Sequence, residues 1–329
     1  MSTPLPGPLA VCPRSLSSHD GFRQRVADAG IDARWNNGGQ RLRGDALHAF
    51  LDGAAAAVVG LEEPGGPPES VRVIAKYGVG LDSLDLDALE AAGVRVGWTP
   101  GVNRHAVAEL AIALILACFR GLGAAQGPMR SGALADGRWR PPAGRQLRGS
   151  TVGVIGCGHA GREVVRLAEA LGARVLVCDV RNRRDALPRT VKQVSFDEIL
   201  AASGVLSLHV PLDPSTRGLL NAPALARLPR GAVVINTARG GLVDEDALLA
   251  SLDAGHIAGA GLDVAVDEPV APGPLLDHPG VVLTPHVGGS TRTSIDAMAD
   301  AAWANLQQPQ SVADLRSRLA AGRIEPWTG

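Results

Sequence analysis

Short apolar runs alternate with amphipathic stretches along most of the chain. "PLAVC" (8–12) is followed by the polar-faced "HDGFRQRVADAG" (19–30) and then by "IDARW" (31–35). "GDALHAFLDG" (44–53) precedes "AAAAVVG" (54–60), and "VRVIAKYG" (71–78) precedes "LDLDALEAAG" (84–93) and "VRVGW" (94–98). Runs of this kind, too short for helices and rich in Val and Ile, read as buried strands, and the stretches between them carry helical periodicity. Strand–helix–strand in repetition predicts parallel sheets with helices on both faces, and the glycine that closes each helical run supplies a stop. The pattern then breaks. "NRHAVAELAIALILACFRGLGAAQGPM" (103–129) is apolar on nearly every face, which predicts one long helix buried between domains. "SGALADGRWRPPAGRQLRGS" (131–150) reads as a surface loop, a second strand–helix alternation runs from Thr151 to about Val287, and the last forty residues turn helical again.

With 329 residues the chain exceeds one typical core, and two domains are expected. The 32 basic and 33 acidic residues nearly cancel and form no run, which argues against nucleic acid and anionic membranes as partners. The four cysteines (Cys12, Cys118, Cys157, Cys178) are scattered without a C-x-x-C, so neither a disulfide framework nor a metal site is expected, and all four read as small buried hydrophobes. No basic leader or membrane-length apolar run is evident, which reads as a cytoplasmic protein.

The strongest local signal is "STVGVIGCGHAGREVVRLAEALGARVLVCDV" (150–180). A strand runs into Gly156-x-Gly158-x-x-Gly161, a helix follows, and a second strand ends in Asp179, 18 residues beyond Gly161. The first glycine permits a tight turn, the second lets backbone approach a pyrophosphate, and the third lets the helix pack close to the strand. The anion then sits at a helix N-terminus. An acid at Asp179 suits the ribose hydroxyls and favours NAD over NADP. Arg181, Arg183 and Arg184 could soften that preference, though a solvated loop is the preferred reading of all three.

Three polar residues follow apolar strands in the second half: Arg239 after "AVVINTA", Glu268 after "AGAGLDVAVDEP", and His286 after "VVLTP". Open parallel sheets bind ligands outside the carboxyl ends of their strands, so all three are expected at the edge that carries the Gly156 turn. A guanidinium clamps and polarises a 2-keto acid, an imidazole exchanges the hydroxyl proton, and a carboxylate behind it fixes the tautomer. Each residue also has a plainer alternative: a surface arginine, a glutamate in a turn before Pro269, and a histidine capping the helix that starts near Ser290.

The stretches "IAKYGVGLDSLDL" (74–86), "TPGVNRHAVAEL" (99–110), "GCGHAG" (156–161), "HVPLDPSTRGLLN" (209–221), "NTARGGLVDEDAL" (236–248), "GLDVAVDEP" (261–269) and "TPHVGGST" (284–291) are ordered and spaced as in one known family. On them the chain resembles the D-isomer-specific 2-hydroxyacid dehydrogenases, most closely their D-3-phosphoglycerate dehydrogenase-like branch. The resemblance implies two flavodoxin/Rossmann-like doubly wound α/β domains. Residues 1–101 and 290–329 would form the substrate domain, and 102–289 an inserted NAD domain. It implies Arg239 as substrate clamp, His286 as acid/base and Glu268 as its partner, in a homodimer. His159 and Ala160 would touch the pyrophosphate, with His209, Pro211, Thr216 and Gly288 also lining the cofactor. Thr237, Ala238 and Asp263 would line the nicotinamide end, with Asp263 accepting from the carboxamide. The Tyr77-Gly78-Val79-Gly80 turn would offer N–H groups to the substrate carboxylate, with Asn103 nearby.

Departures from the family pattern bear on the substrate. Arg104 and His105 stand where small or acidic residues are usual, which suits a phosphorylated or otherwise doubly anionic acid; surface drift is the alternative. Arg138, Arg140 and Arg148 from the loop are further candidate phosphate contacts. Val79 replaces the lysine of phosphite-oxidising members, and Asn103 departs from the threonine-rich stretch of hydroxypyruvate/glyoxylate reductases. The tail lacks the family's closing strand motif and the length of a regulatory domain, so no serine feedback is expected. The leading reading is an NAD-dependent dehydrogenase of a D-2-hydroxy acid with a second anionic group. Its alternatives are a general 2-keto acid reductase and a non-catalytic NAD-sensing module.

Overall fold

The computed structural model describes residues 7–135, 137, 140 and 143–322. The chain divides into two compact units, first between Asn103 and Arg104 and again between Gly288 and Gly289.

The first unit is built on five parallel strands, β1 (Leu9–Val11), β2 (Ala33–Trp35), β3 (Ala56–Val59), β4 (Val73–Lys76) and β5 (Arg95–Gly97), in the order β2-β1-β3-β4-β5. β1, β3 and β4 are buried on both faces, which is why their sequences are continuous apolar runs without alternation. The chain's last helices complete this unit. Met298, Ala299, Ala302 and Leu306 of the helix Arg292–Gln307 enter the core on one face, and Val312 and Leu315 of the helix Val312–Ala321 enter it on the other. Gly97 permits the contact with Arg292–Gln307, since a Cβ there would stand 2.2 Å from the Asn305 carbonyl oxygen. Gln310 adds an antiparallel bridge to Val96, and no strand closes the tail among the described residues.

The second unit holds seven parallel strands: β6 (Thr151–Ile155), β7 (Arg174–Cys178), β8 (Lys192–Gln193), β9 (Val205–Leu208), β10 (Ala232–Asn236), β11 (Ile257–Leu262) and β12 (Val281–Leu283). Their order is β12-β11-β10-β9-β6-β7-β8. The two sheets therefore differ. The first has the flavodoxin order, and the second has the dinucleotide-fold order that reverses between β6 and β9, the position at which open parallel sheets bind ligands.

The apolar stretch 103–129 is not one helix. It forms Arg104–Phe119 and Leu122–Arg130, bent by 60° where Gly121 takes φ 60°. No single described helix is long and apolar enough to cross a membrane. The helix Arg104–Phe119 buries seven residues, among them Ala108, Ala111 and Ile115, against the second sheet. β11 receives it with glycines: a Cβ on Gly261 would lie 2.7 Å from the Cβ of Leu114. Cys12 and Cys157 are buried, whereas Cys118 and Cys178 are half-buried, and burial pushes all four thiols up, Cys118 and Cys157 to about 12.

Candidate active site

The turn after β6 is shaped by its glycines. Gly156 has φ 88° and donates its N–H to Cys178, and a side chain there would collide with the His209 carbonyl at 2.5 Å. At Gly161 a Cβ would come within 2.0 Å of the Gly156 carbonyl oxygen, so only glycine lets the helix His159–Ala170 sit this close. Gly158 differs: a Cβ there would meet nothing within 4 Å. That open space, at a helix N-terminus that no side chain caps, fits a pyrophosphate. His159 and Ala160 open that helix.

On one side of the turn, Asp179 directly follows β7. Its carboxylate already takes three donors: Cys157 N (2.8 Å), Arg181 N (2.8 Å) and Arg183 Nε (3.3 Å). Arg183 is therefore not solvated as expected from its polar neighbours but buried against the acid, while Arg181 and Arg184 are exposed. On the other side, His209 follows β9, with Nε2 2.8 Å from Ser207 Oγ; burial pushes its imidazole down to about 4. Beyond it, the Thr216 hydroxyl donates to the Pro211 carbonyl (2.7 Å) and accepts from Asp213 N (2.9 Å), which fixes the loop.

Arg239 lies three residues past β10. Buried Asn236 holds it in place, donating through Nδ2 to the Arg239 carbonyl (2.8 Å) and accepting from Ala238 N (3.0 Å). The glycine after Arg239 has a steric reason: a Cβ on Gly240 would lie 1.9 Å from the Ala265 carbonyl carbon. This close approach brings the Arg239 loop onto the loop that leads to Glu268. Thr237, beside it, has a buried hydroxyl with no partner, a polar atom suited to a ligand at the strand end.

Glu268 and His286 reach each other from different strands, with Glu268 Oε2 2.8 Å from His286 Nδ1. Burial pushes the Glu268 carboxyl up. The hydrogen bond and charge of His286, the Ala265 N–H and the Arg239 guanidinium outweigh it and hold the group below the usual carboxylate range. His286 does not cap the following helix; Thr291 does. His286 is instead the one described non-glycine residue with positive φ, at 54°. Buried Asp263 stabilises that conformation. Its carbonyl accepts His286 N (2.9 Å), and its carboxylate accepts Thr284 Oγ1 (2.6 Å), Val287 N (2.8 Å) and Gly288 N (2.7 Å). Asn236 and Thr284 were not singled out from the sequence. Their signal is positional: each is a polar residue at or just past the end of an apolar strand, directly before a chemical group.

Other expected residues are placed elsewhere. Tyr77–Gly80 follows β4 in the first unit, where Tyr77 OH accepts from Ser15 Oγ (3.3 Å) and the Val79 carbonyl accepts from Trp98 Nε1 (3.0 Å). Asn103 packs against Gly289 in the same unit. Arg104 opens its helix at the carboxyl edge of the second sheet, since Val107, one turn on, lies against Gly288 beside His286. His105 pairs with Glu163 (3.3 Å). Arg148 and Arg145 of the loop do not join this edge. Arg148 packs on Gly172 and Arg145 bonds the Gly231 carbonyl, both at the amino ends of the strands. Arg140 is exposed, and Arg138 lies outside the described residues. Among the described residues, no cluster of three or more His, Cys, Asp or Glu could hold a metal ion.

Residues 112–288 match the family model described as D-isomer specific 2-hydroxyacid dehydrogenase, NAD binding domain. The chain is 38% identical over 276 residues to a D-3-phosphoglycerate dehydrogenase of Mycobacterium tuberculosis, covering 81% of this chain and 50% of the relative. It is 39% identical over 228 residues to a hydroxypyruvate reductase of Thermotoga maritima, covering 68% of this chain and 72% of the relative. The chain thus spans about half the length of the curated D-3-phosphoglycerate dehydrogenases that it matches over 276 residues. Among solved structures it is similar to a glyoxylate reductase from Paecilomyes thermophila, with a TM-score of 0.77 and 28% identity over 98% of each chain.

Proposed function

The chain belongs to the D-isomer-specific 2-hydroxyacid dehydrogenase family, and from that premise we propose that it interconverts a D-2-hydroxy acid and its 2-keto acid with NAD. The observation that carries this reading is the 2.8 Å His286–Glu268 pair, with Arg239 acting on Glu268, at the sheet edge of the Gly156 turn. The dinucleotide supplies hydride exchange when bound, with Gly156, Gly158 and Gly161 shaping its pyrophosphate site and Thr237 at its far end.

The protein's own groups supply the rest. The Arg239 guanidinium holds the substrate carboxylate through paired N–H donors and polarises the neighbouring carbonyl. Glu268 accepts the Nδ1–H of His286, which fixes the tautomer and leaves Nε2 to exchange the proton of the substrate hydroxyl. In the reducing direction, imidazolium donates that proton to the carbonyl oxygen. In the oxidising direction, neutral imidazole removes it, and Glu268 stabilises the cation that forms. Asp263 keeps the histidine loop in its positive-φ conformation throughout.

For the substrate we favour an acid with a second anionic group, phosphorylated or phosphonate. Arg104 supports it, since it stands at the edge that carries His286. A second reading, a hydroxypyruvate/glyoxylate-type reductase, is favoured by Arg148, which packs on Gly172 at the opposite edge and adds no charge beside His286. NADH oxidation with 3-phosphohydroxypyruvate against hydroxypyruvate, in the native chain and in Arg104→Ala and Arg239→Ala, decides. Preference for the phosphorylated acid that disappears in Arg104→Ala supports the first reading, and equal turnover of hydroxypyruvate supports the second. Loss of all turnover in Arg239→Ala is expected under both.

We also infer a homodimer. Leu116, Leu122 and Met129 are exposed along the bent helix pair, an apolar face suited to a second copy. Sedimentation showing only monomer at micromolar concentration would count against it.

A further inference from the structure

Asp179 stands where an acid would receive the adenosine ribose hydroxyls, yet the acid is already engaged. The side chains of Asp179 and Arg183 are 8% and 10% exposed, with Arg183 Nε 3.3 Å from Asp179 Oδ2. That oxygen also takes Cys157 N of the glycine turn, and Oδ1 takes Arg181 N. The arginine is not there by accident of a mobile loop. Arg183 N donates to Gln193 Oε1 (2.8 Å), and Gln193 Nε2 donates back to the carbonyls of Asp179 (3.1 Å) and Arg181 (2.7 Å), so β8 staples the whole turn.

An acid at this place selects against a 2′-phosphate in two ways: by its negative charge, and by receiving two hydroxyls that the phosphorylated ribose cannot both offer. Both effects are blunted. A guanidinium in contact neutralises the charge, and three of about four acceptor positions on the carboxylate are filled. Exposed Arg181 and Arg184 on the same turn add positive charge. The charge extends into the turn: burial pushes the Cys157 thiol up, Asp179 adds to that, and Arg183 and Arg162 pull it back.

We propose that Arg183 opens the adenosine end of this site to a 2′-phosphate, so that the chain binds NADP(H) as well as NAD(H). The inference rests on the dinucleotide reading of the Gly156 turn and extends it. Isothermal titration of the full chain with NADH and with NADPH, without substrate, tests it directly. Dissociation constants within about tenfold of each other are expected. In Arg183→Gln the uncompensated Asp179 should weaken NADPH until the two differ by more than about a hundredfold. Arg183→Lys, which keeps the charge, should stay close to the native ratio. NADPH binding more than about a thousandfold weaker than NADH in the native chain would overturn the proposal whatever the variants do. An unchanged ratio in a folded Arg183→Gln, checked by circular dichroism, would overturn it as well. Binding of neither dinucleotide would instead overturn the dinucleotide reading itself.

Discussion

The imidazole of His286 and the carboxylate of Glu268 meet at 2.8 Å, one carried past the end of β12 and the other past the end of β11. They lie 18 residues apart in sequence, and carboxylates hold each loop, Glu245 on the Val266 N–H and Asp263 on the Val287 and Gly288 N–H groups. In Glu268→Gln the amide keeps the shape and loses the charge. Turnover should fall by about 10²–10⁴-fold while NADH binding holds, as judged by steady-state kinetics and fluorescence titration. Because the folded protein holds the Glu268 carboxyl below its ordinary value, the pair's contribution to stability is complete above that value. It disappears as pH falls through the lower, folded-state value. Urea unfolding against pH should show this acid limb in the native chain and not in Glu268→Gln.

The two glycines of the turn separate by experiment. Gly158→Ala adds a methyl group that meets no protein atom within 4 Å, so the fold should be unaffected and NADH affinity should drop by more than about tenfold. Gly161→Ala forces a methyl group against the Gly156 carbonyl and should cost about 1–3 kcal/mol or more of stability before any ligand is added. Thermal unfolding with and without NADH distinguishes them, and equal melting temperatures for the two variants would show that the turn is looser than described.

Asp263 works through the His286 loop. In Asp263→Asn one acceptor oxygen becomes a donor and faces one of the N–H or O–H groups of Thr284, Val287 or Gly288. A loss of about 1–3 kcal/mol is expected from the unsatisfied pair. Turnover should fall with it, because His286 at φ 54° is no longer held. A variant that keeps its stability and loses only turnover would assign Asp263 to ligand contact instead.

His209 gives the protein a second pH dependence. Its ordinary value is 6.5 and burial lowers it to about 4 in the fold. Between the two, the unfolded chain binds a proton that the folded chain does not, so stability declines as pH falls, by at most about 1.4 kcal/mol per pH unit. His209→Gln should flatten urea midpoints over that range. The same slope in native chain and variant would exclude His209 as its source.

Much of this was legible in the residues themselves. Apolar runs gave the strands because β3, β6, β9 and β10 are buried on both faces, and strand ends gave Arg239, Glu268 and His286 because a parallel sheet gathers its carboxyl ends at one edge. What stayed hidden depends on contacts between distant segments. Hydropathy reads straight through Gly121, whose left-handed conformation breaks the helix. Arg183 looks like a loop cation until Asp179 and Gln193 are placed around it. Arg148 looks like an anion contact until Gly172 puts it at the amino edge.

The five-stranded unit takes its helices Arg292–Gln307 and Val312–Ala321 from the far side of a whole second unit in sequence. During synthesis, β1 to β5 emerge first and wait. The seven-stranded unit is contiguous and can close on its own contacts while Gly97 still lacks the backbone of Asn305 that covers it. Order of birth and order of completion are therefore reversed. The first-made sheet spends the longest time with apolar surface open on both faces, and that surface is where a chaperone has most to gain by holding on.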